Sequence, residues 1–255
     1  MINIDTKQII TPISDLKRSP DPKSELETQC LLGEDVVLLD KKKNWLYCKT
    51  KLDNYSGWLN ENDVGKRIKI THKTSSNITH LYSEPNIKSN LLEHLYFNSK
   101  ISIEKLSKDW SKTKIREKTG YINMNHIKKI NFLDKDWIKR AVTFLGAPYL
   151  WGGKSYLGID CSALVQIVLE NAGIYLPRNT QEQIDFETDY FFNIKKIEKS
   201  CLIYWKGHVA IAINEKKLIH SNAYHMSVKI EPIEIAVNRI KNLYGKVICI
   251  KKIII

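Results

Sequence analysis

The segment 161–172, Cys-Ser-Ala-Leu-Val-Gln-Ile-Val-Leu-Glu-Asn-Ala, leaves this chain few ways to fold. Ala163, Leu164, Val165, Ile167, Val168 and Leu169 make it apolar on nearly every side of a helix, and Gly173 closes it. Such a helix must be covered on all faces, so it is predicted to be the central buried helix of its domain. Just ahead runs a glycine-rich loop, Tyr149-Leu150-Trp151-Gly152-Gly153-Lys154-Ser155, followed by Gly158-Ile159-Asp160. Cys161 thus stands at a helix N-terminus, where unpaired backbone N–H groups and the positive end of the macrodipole favour thiolate over thiol. The expectation is a nucleophile with a depressed pKa, flanked by Tyr149 and Trp151 as flat walls of a groove. Position alone leaves a second reading open, in which Cys161 is one more small buried hydrophobe.

Upstream of the loop, Asp134 or Asp136 caps a helix carrying Trp137, Ala141, Phe144 and Leu145, which Gly146 and Pro148 end. After Pro177-Arg178-Asn179-Thr180 the texture turns to strands at 201–205, 208–213 and 218–223, with a β-branched run at 245–255 closing the sheet. Helices first and antiparallel strands afterwards give an α+β layout for 131–255.

A thiol nucleophile needs a base, and the base needs a group that orients it. His208 and His220, which lead into and close one predicted hairpin, are the candidates, with His225 a weaker one. Either histidine alone also reads as a partly buried, hydrogen-bonded residue. Strand alternation puts His208 on one face with Ala210 and Ala212. A four-residue turn at 214–217 would set His220 on the opposite face, whereas a three-residue turn at 214–216 pairs it with Ala210 and makes it a diagonal neighbour of His208. An odd-length turn or a bulge is therefore expected.

The first half carries an internal repeat: Pro22, Val36, Trp45, Gly57 and Trp58 recur 63 to 65 residues later as Pro85, Ile101, Trp110, Gly120 and Tyr121. Short strands punctuated by Gly, Asn, Asp and Ser predict two small all-β barrels, at 1–68 and 69–130, which lean on each other or on the second half. His72, His80, His94 and His126 fall there and are expected to face solvent.

The 40 basic and 28 acidic residues give a net charge of +12, but the lysines are spread along the chain and no nucleic-acid recognition motif accompanies them. No nucleic-acid partner is expected. The N-terminus lacks a basic segment followed by an apolar core, and no apolar run reaches membrane-spanning length, so a cytoplasmic protein with no membrane partner is expected. The five cysteines are widely separated with no CxxC pair, which speaks against a disulfide framework. Cys161, Cys201, His208 and His220 lack any usual metal-ligand spacing, so neither metal nor cofactor is expected. Nothing in the sequence fixes an oligomeric state.

The motifs Tyr149-x-Trp151-Gly152-Gly153-x-Ser155, Asp160-Cys161-Ser162, Pro177-Arg178-x-Thr180-x-x-Gln183, Gly207-His208-Val209-Ala210-Ile211 and Ile219-His220-Ser221 together resemble the NlpC family of cysteine peptidases. These are papain-like enzymes that hydrolyse bonds in bacterial peptidoglycan peptides. The resemblance spans nearly all of the second half. It implies Cys161 as nucleophile, His208 as general base and acid, and His220 as the residue orienting the imidazole, with Tyr149, Trp151, Asp160, Ser162 and Thr180 lining the substrate groove. Two SH3-like barrels ahead of such a domain look like the subgroup that cleaves after γ-linked D-Glu in L-Ala-γ-D-Glu-diamino acid peptides during muropeptide recycling. In that subgroup a Tyr and an acidic residue of the first barrel meet the substrate's free α-amine, which points to Tyr55 and Glu25 here. The chain departs from the family pattern at Ser200-Cys201, where Gly-Asp is usual, and at Ala163, where Gly is frequent. A papain-like amidase or acyltransferase, or a cell-wall binding protein with a silent catalytic domain, are the competing readings.

Overall fold

The computed structural model describes residues 5–186, 190–191 and 196–254, and the chain divides into two compact units, Met1–Phe132 and Leu133–Ile255. The first is built from strands and two single 3₁₀ turns. Its seven-stranded sheet runs in the order Leu26–Leu31, Ile13–Lys17, Ser56–Asn60, Trp45–Thr50, Asp35–Lys42, Thr6–Ile9, Val64–Gly65. A five-stranded sheet (Leu91–Tyr96, Ile78–Tyr82, Lys118–Asn123, Trp110–Ile115, Ile103–Leu106) and a three-stranded one (Lys100–Ile101, His72–Thr74, Ile127–Lys129) follow.

The internal repeat is visible in this geometry. Trp45 pairs with Asn60 at the end of one hairpin, and Trp110 with Asn123 at the end of the other. Asn60 and Asn123 each cap a 3₁₀ turn by accepting from the backbone N–H two residues on. A Cβ on Gly57 would stand 2.9 Å from the carbonyl oxygen of Lys17, and one on Gly120 would stand 2.5 Å from that of Tyr82. Glycine recurs because a crossing strand passes too close for any side chain at the same point of each copy. Among the described residues no sheet closes on itself, so the closed barrels read from strand lengths are not found. Each copy does have its own core, Ile9, Leu16, Cys30, Val36, Leu46, Cys48 and Leu59 in the first and Leu81, Leu95, Ile101, Ile115, Ile122 and Ile127 in the second. Leu32 of the first copy packs into the second core, and its carbonyl accepts from the Lys100 amide at 2.7 Å. His72, His80 and His126 are half-buried rather than solvent-facing.

The second unit is a six-stranded antiparallel sheet, in the order Tyr190–Phe191, Cys249–Lys252, Cys201–Trp205, His208–Ala212, Lys217–Asn222, Ser227–Pro232. The short final strand Cys249–Lys252 lies inside the sheet rather than at its edge. Helix α1 (Trp137–Val142) is capped by Asp136 and stops before Phe144, leaving Leu145 exposed. Helix α2 (Cys161–Asn171) has every residue buried, as its apolar circumference requires, and Gly173 follows at φ +93°. A Leu169→Ala substitution there is expected to lower unfolding free energy by about 2–5 kcal/mol, measured as a shift of the urea midpoint.

Two further helices, α3 (Thr180–Asp185) and α4 (Ile233–Tyr244), and the strand Ser227–Pro232 are additions to the expected elements. Ile233, Ala236 and Ile240 of α4 pack on the sheet face formed by Cys201, Ile203, Trp205, Ala210, Ala212, Leu218 and Ile250.

Candidate active site

Asp160 assembles the start of α2. Its Oδ1 accepts from the Ala163 amide at 2.8 Å, from Ser162 Oγ at 3.2 Å and from Arg178 Nη1 at 3.0 Å. Its Oδ2 accepts from the Gly152 amide at 3.0 Å and from Arg178 Nη2 at 2.6 Å. One buried carboxylate therefore joins the glycine loop, the helix N-terminus and the 178 segment through a bidentate pair. Ser162 Oγ also accepts from Arg178 Nη1, at 2.9 Å. Asp160 and Ser162 were expected to line the groove; both are buried, and their side chains are engaged with this framework. Gln183 completes it by donating to the carbonyls of Ser162 at 3.1 Å and Pro177 at 2.9 Å. Arg178 and Gln183 were visible in the sequence only as letters of a motif, and the geometry gives them their function.

Cys161, 8% exposed, lies against the strand His208–Ala212, where the Val209 amide and the Thr180 hydroxyl both act on its sulfur in the sense that favours the thiolate. They are outweighed. Burial first, and then the charge of Asp160, push the thiol up to about 11. The expected depression is not found, because the dipole argument leaves out desolvation and the negative cap beside the sulfur. Tyr149 is half-buried, and burial and the neighbouring Cys161 and Asp160 raise its phenol. Trp151 is 63% exposed, an open wall rather than a packed one.

The hairpin has the odd-length turn. Ile211 pairs with Ile219 and Ala212 with Leu218, and the Ile213 amide donates to the Lys217 carbonyl at 3.0 Å, which leaves 214–216 as the turn. His208 and His220 accordingly share a face, and His208 Nε2 stands 2.8 Å from His220 Nδ1. His220 Nε2 in turn meets Glu231 Oε2 at 2.6 Å. Glu231 also pairs with Arg239 of α4, and its Oε1 stands 3.0 Å from His225 Nε2. The His208 ring lies against Trp205, with centroids 5.7 Å apart, and stacks on Tyr244 at 6.1 Å. Glu231, Arg239 and Tyr244 had no place in the sequence reading; the helical spacing of Ile233, Ala236 and Ile240 was the one signal pointing to them.

Burial, then His220 and Arg239, lower His208 from its ordinary 6.5 to about 3. Between those values the unfolded chain binds a proton that the folded site refuses, so stability rises with pH across this window and falls as pH drops through it. The unfolding free energy is expected to lose about 1.4 kcal/mol per pH unit from His208 alone between about pH 6 and 4. Thermal midpoints recorded over that range should fall more steeply for the wild type than for His208→Gln.

In the first unit, Tyr55 Oη donates to Glu27 Oε2 at 2.8 Å, and Arg18 pairs with Glu27 at 2.5 Å. Glu25 pairs with Arg18 at 2.6 Å and is half exposed. The carboxylate beside Tyr55 is thus Glu27, the extra residue of a bulge between Leu26 and Thr28, while Glu25 lies just before that strand and pairs with Arg18 instead. Among the described residues no group of three or more His, Cys, Asp or Glu could hold a metal ion.

The NlpC/P60 family matches residues 146–244, and the bacterial dipeptidyl-peptidase SH3 domain matches residues 16–64. A gamma-D-glutamyl-L-lysine dipeptidyl-peptidase of Bacillus cereus is 29% identical over 241 residues, covering 82% of this chain and 71% of that protein. Dipeptidyl-peptidase 6 of Lysinibacillus sphaericus is 24% identical over 248 residues, covering 89% and 91%. The crystal structure of an NlpC/P60 family protein from Bacillus cereus has the same fold, with a TM-score of 0.82 at 20% identity over 97% of this chain and 99% of that one. Residues 146–244 thus form a cysteine peptidase domain of the NlpC/P60 family, preceded at 16–64 by a bacterial dipeptidyl-peptidase SH3 domain.

Proposed function

We propose that the enzyme hydrolyses the γ-D-glutamyl bond of short peptidoglycan peptides, L-Ala-γ-D-Glu-diamino acid, and releases L-Ala-D-Glu. The observation that carries this reading is the setting of Cys161 at the buried start of α2, against the strand that His208 opens, with His208 hydrogen-bonded to His220 of the next strand. The names of the Bacillus cereus and Lysinibacillus sphaericus relatives support the bond class.

Cys161 Sγ attacks the γ-carbonyl carbon while its proton passes to His208. His208 then gives that proton to the departing diamino acid amine, and water hydrolyses the thioester, returning the thiol. Because thiol and imidazole both rest uncharged, the ion pair forms as the reaction begins rather than beforehand. His220 orients the His208 ring, Tyr149 and Trp151 flank the substrate, and Thr180 supports the sulfur. Tyr55 and Glu27 receive the free α-ammonium of L-Ala, on a first half made of two SH3-like modules at 1–68 and 69–130. A requirement for that amine fits recycling of peptide fragments inside the cell.

Mass spectrometry of L-Ala-γ-D-Glu-L-Lys and its diaminopimelate counterpart after incubation with the enzyme tests the proposal. Appearance of L-Ala-D-Glu is the expected result; intact peptides under conditions where the protein is folded would overturn it.

A further inference from the structure

Behind the histidine pair stands an ion pair that the reaction as written above does not use. His220 pairs with Lys229 across the ladder, so Glu231, two residues on, is its diagonal neighbour on the same face. Burial works against the charge of Glu231, yet hydrogen bonds from His220 and His225 and the nearby Arg239 hold its carboxyl down at about 2. An ionised carboxylate has no proton to offer, so the hydrogen between Glu231 and His220 Nε2 belongs to His220. In a neutral ring, a proton on Nε2 leaves Nδ1 with a lone pair, and that lone pair must accept from His208 Nε2–H, 2.8 Å away. His208 is then left with its own lone pair on Nδ1.

We propose that Glu231, held by Arg239, is a positioning residue for the base: it fixes the tautomers of both histidines so that His208 presents an unprotonated Nδ1, and it stabilises the imidazolium formed when Cys161 gives up its proton. The inference rests on Cys161 and His208 acting as nucleophile and base. The proton leaves Cys161 Sγ and arrives at His208 Nδ1; none moves to Glu231, and the His208–His220 bond becomes charge-assisted.

The groups facing this chain act with different signs. Glu231 raises the proton affinity of His208, while Arg239 and His220 lower it. Arg239 and His225 lower that of His220. Tyr244 stacks on the His208 ring, and Tyr224 lies under Arg239 at 4.3 Å. Removing Glu231 or Arg239 should therefore push the site in opposite directions, which loss of a merely structural prop would not do.

The test uses full-length Glu231→Gln, Glu231→Asp and Arg239→Gln. It reads the pH profile of Cys161 alkylation by iodoacetamide, with Cys161→Ala as the background for the other cysteines, all of them buried. Steady-state kinetics on the tripeptide accompany it. Glu231→Gln should slow alkylation at neutral pH by roughly tenfold or more and lower kcat by a similar factor, with KM within about twofold. Glu231→Asp should recover part of the loss, and Arg239→Gln should speed alkylation and extend it to lower pH. Wild-type profiles for both Glu231→Gln and Arg239→Gln, or equal slowing in both, would overturn the inference. Should Glu231→Gln fail to fold, the direction of the Arg239→Gln shift decides. The alkylation readout needs no substrate: if the wild type releases no L-Ala-D-Glu but these opposite shifts appear, the substrate assignment fails and the role of Glu231 stands.

Discussion

Cys161→Ala is expected to abolish peptide hydrolysis, by a factor on the order of 10⁴ or more, while leaving thermal unfolding nearly unchanged. The two halves of this expectation have separate grounds. In the proposed mechanism Cys161 supplies the bond that splits one difficult step into two, and the neighbouring Ser162 hydroxyl is already engaged with Asp160 and Arg178. The fold should tolerate the change because the thiol is uncharged at rest, so its removal strands no buried charge, and the Asp160–Arg178 pair that holds the helix start bonds to other atoms. Alanine is also a better helix former than cysteine. Chromatographic product analysis beside a thermal melt reads both. A variant that kept most of its activity would move the nucleophile elsewhere, Cys201 and Cys249 being the other thiols of that unit.

The second large effect concerns the substrate's amine. N-acetyl-L-Ala-γ-D-Glu-L-Lys should be cleaved at least about a hundredfold more slowly than the free tripeptide, measured as kcat/KM, which corresponds to about 2.7 kcal/mol of lost transition-state stabilisation. Hydrogen bonds to charged groups carry about that much when one partner is deleted. Glu27 is the charge proposed to meet that amine: its side chain is 19% exposed and already accepts from Tyr55 and Arg18, so an arriving ammonium would find an ordered acceptor. Glu27→Gln should erase most of the discrimination, and Glu25→Gln should leave it standing. Equal rates on the two peptides would remove the amine-binding role from the first unit.

Much of the peptidase unit is legible in the sequence alone. The apolar circumference of α2 and the odd-length turn between His208 and His220 follow from periodicity, since a one-residue slip would flip every side chain of that strand, whereas the Asp160 cap emerges only in the fold. The proton affinity of Cys161 was not legible in the same way. A helix N-terminus is visible in sequence, but the degree of desolvation around it is a property of the packed fold. The same holds for Glu231 and Arg239, separated from His220 by a strand end and a helix whose apolar positions are sparse. In the first unit, the spacing of Trp45, Gly57 and their later copies revealed the repeat, while whether the strands close into barrels depends on pairings that spacing leaves free.

Asp160 draws together chain segments 8 and 18 residues away, at Gly152 and at Arg178. Each of those loops is closed at an entropic cost that a single hydrogen bond does not offset, so the contacts are stable only as a set. Cooperative assembly of this kind makes the catalytic setting all-or-none. A nascent or locally unravelled chain carries a cysteine at position 161 but not the proposed catalyst, because the loop, the helix start and the arginine that define its surroundings arrive together or not at all.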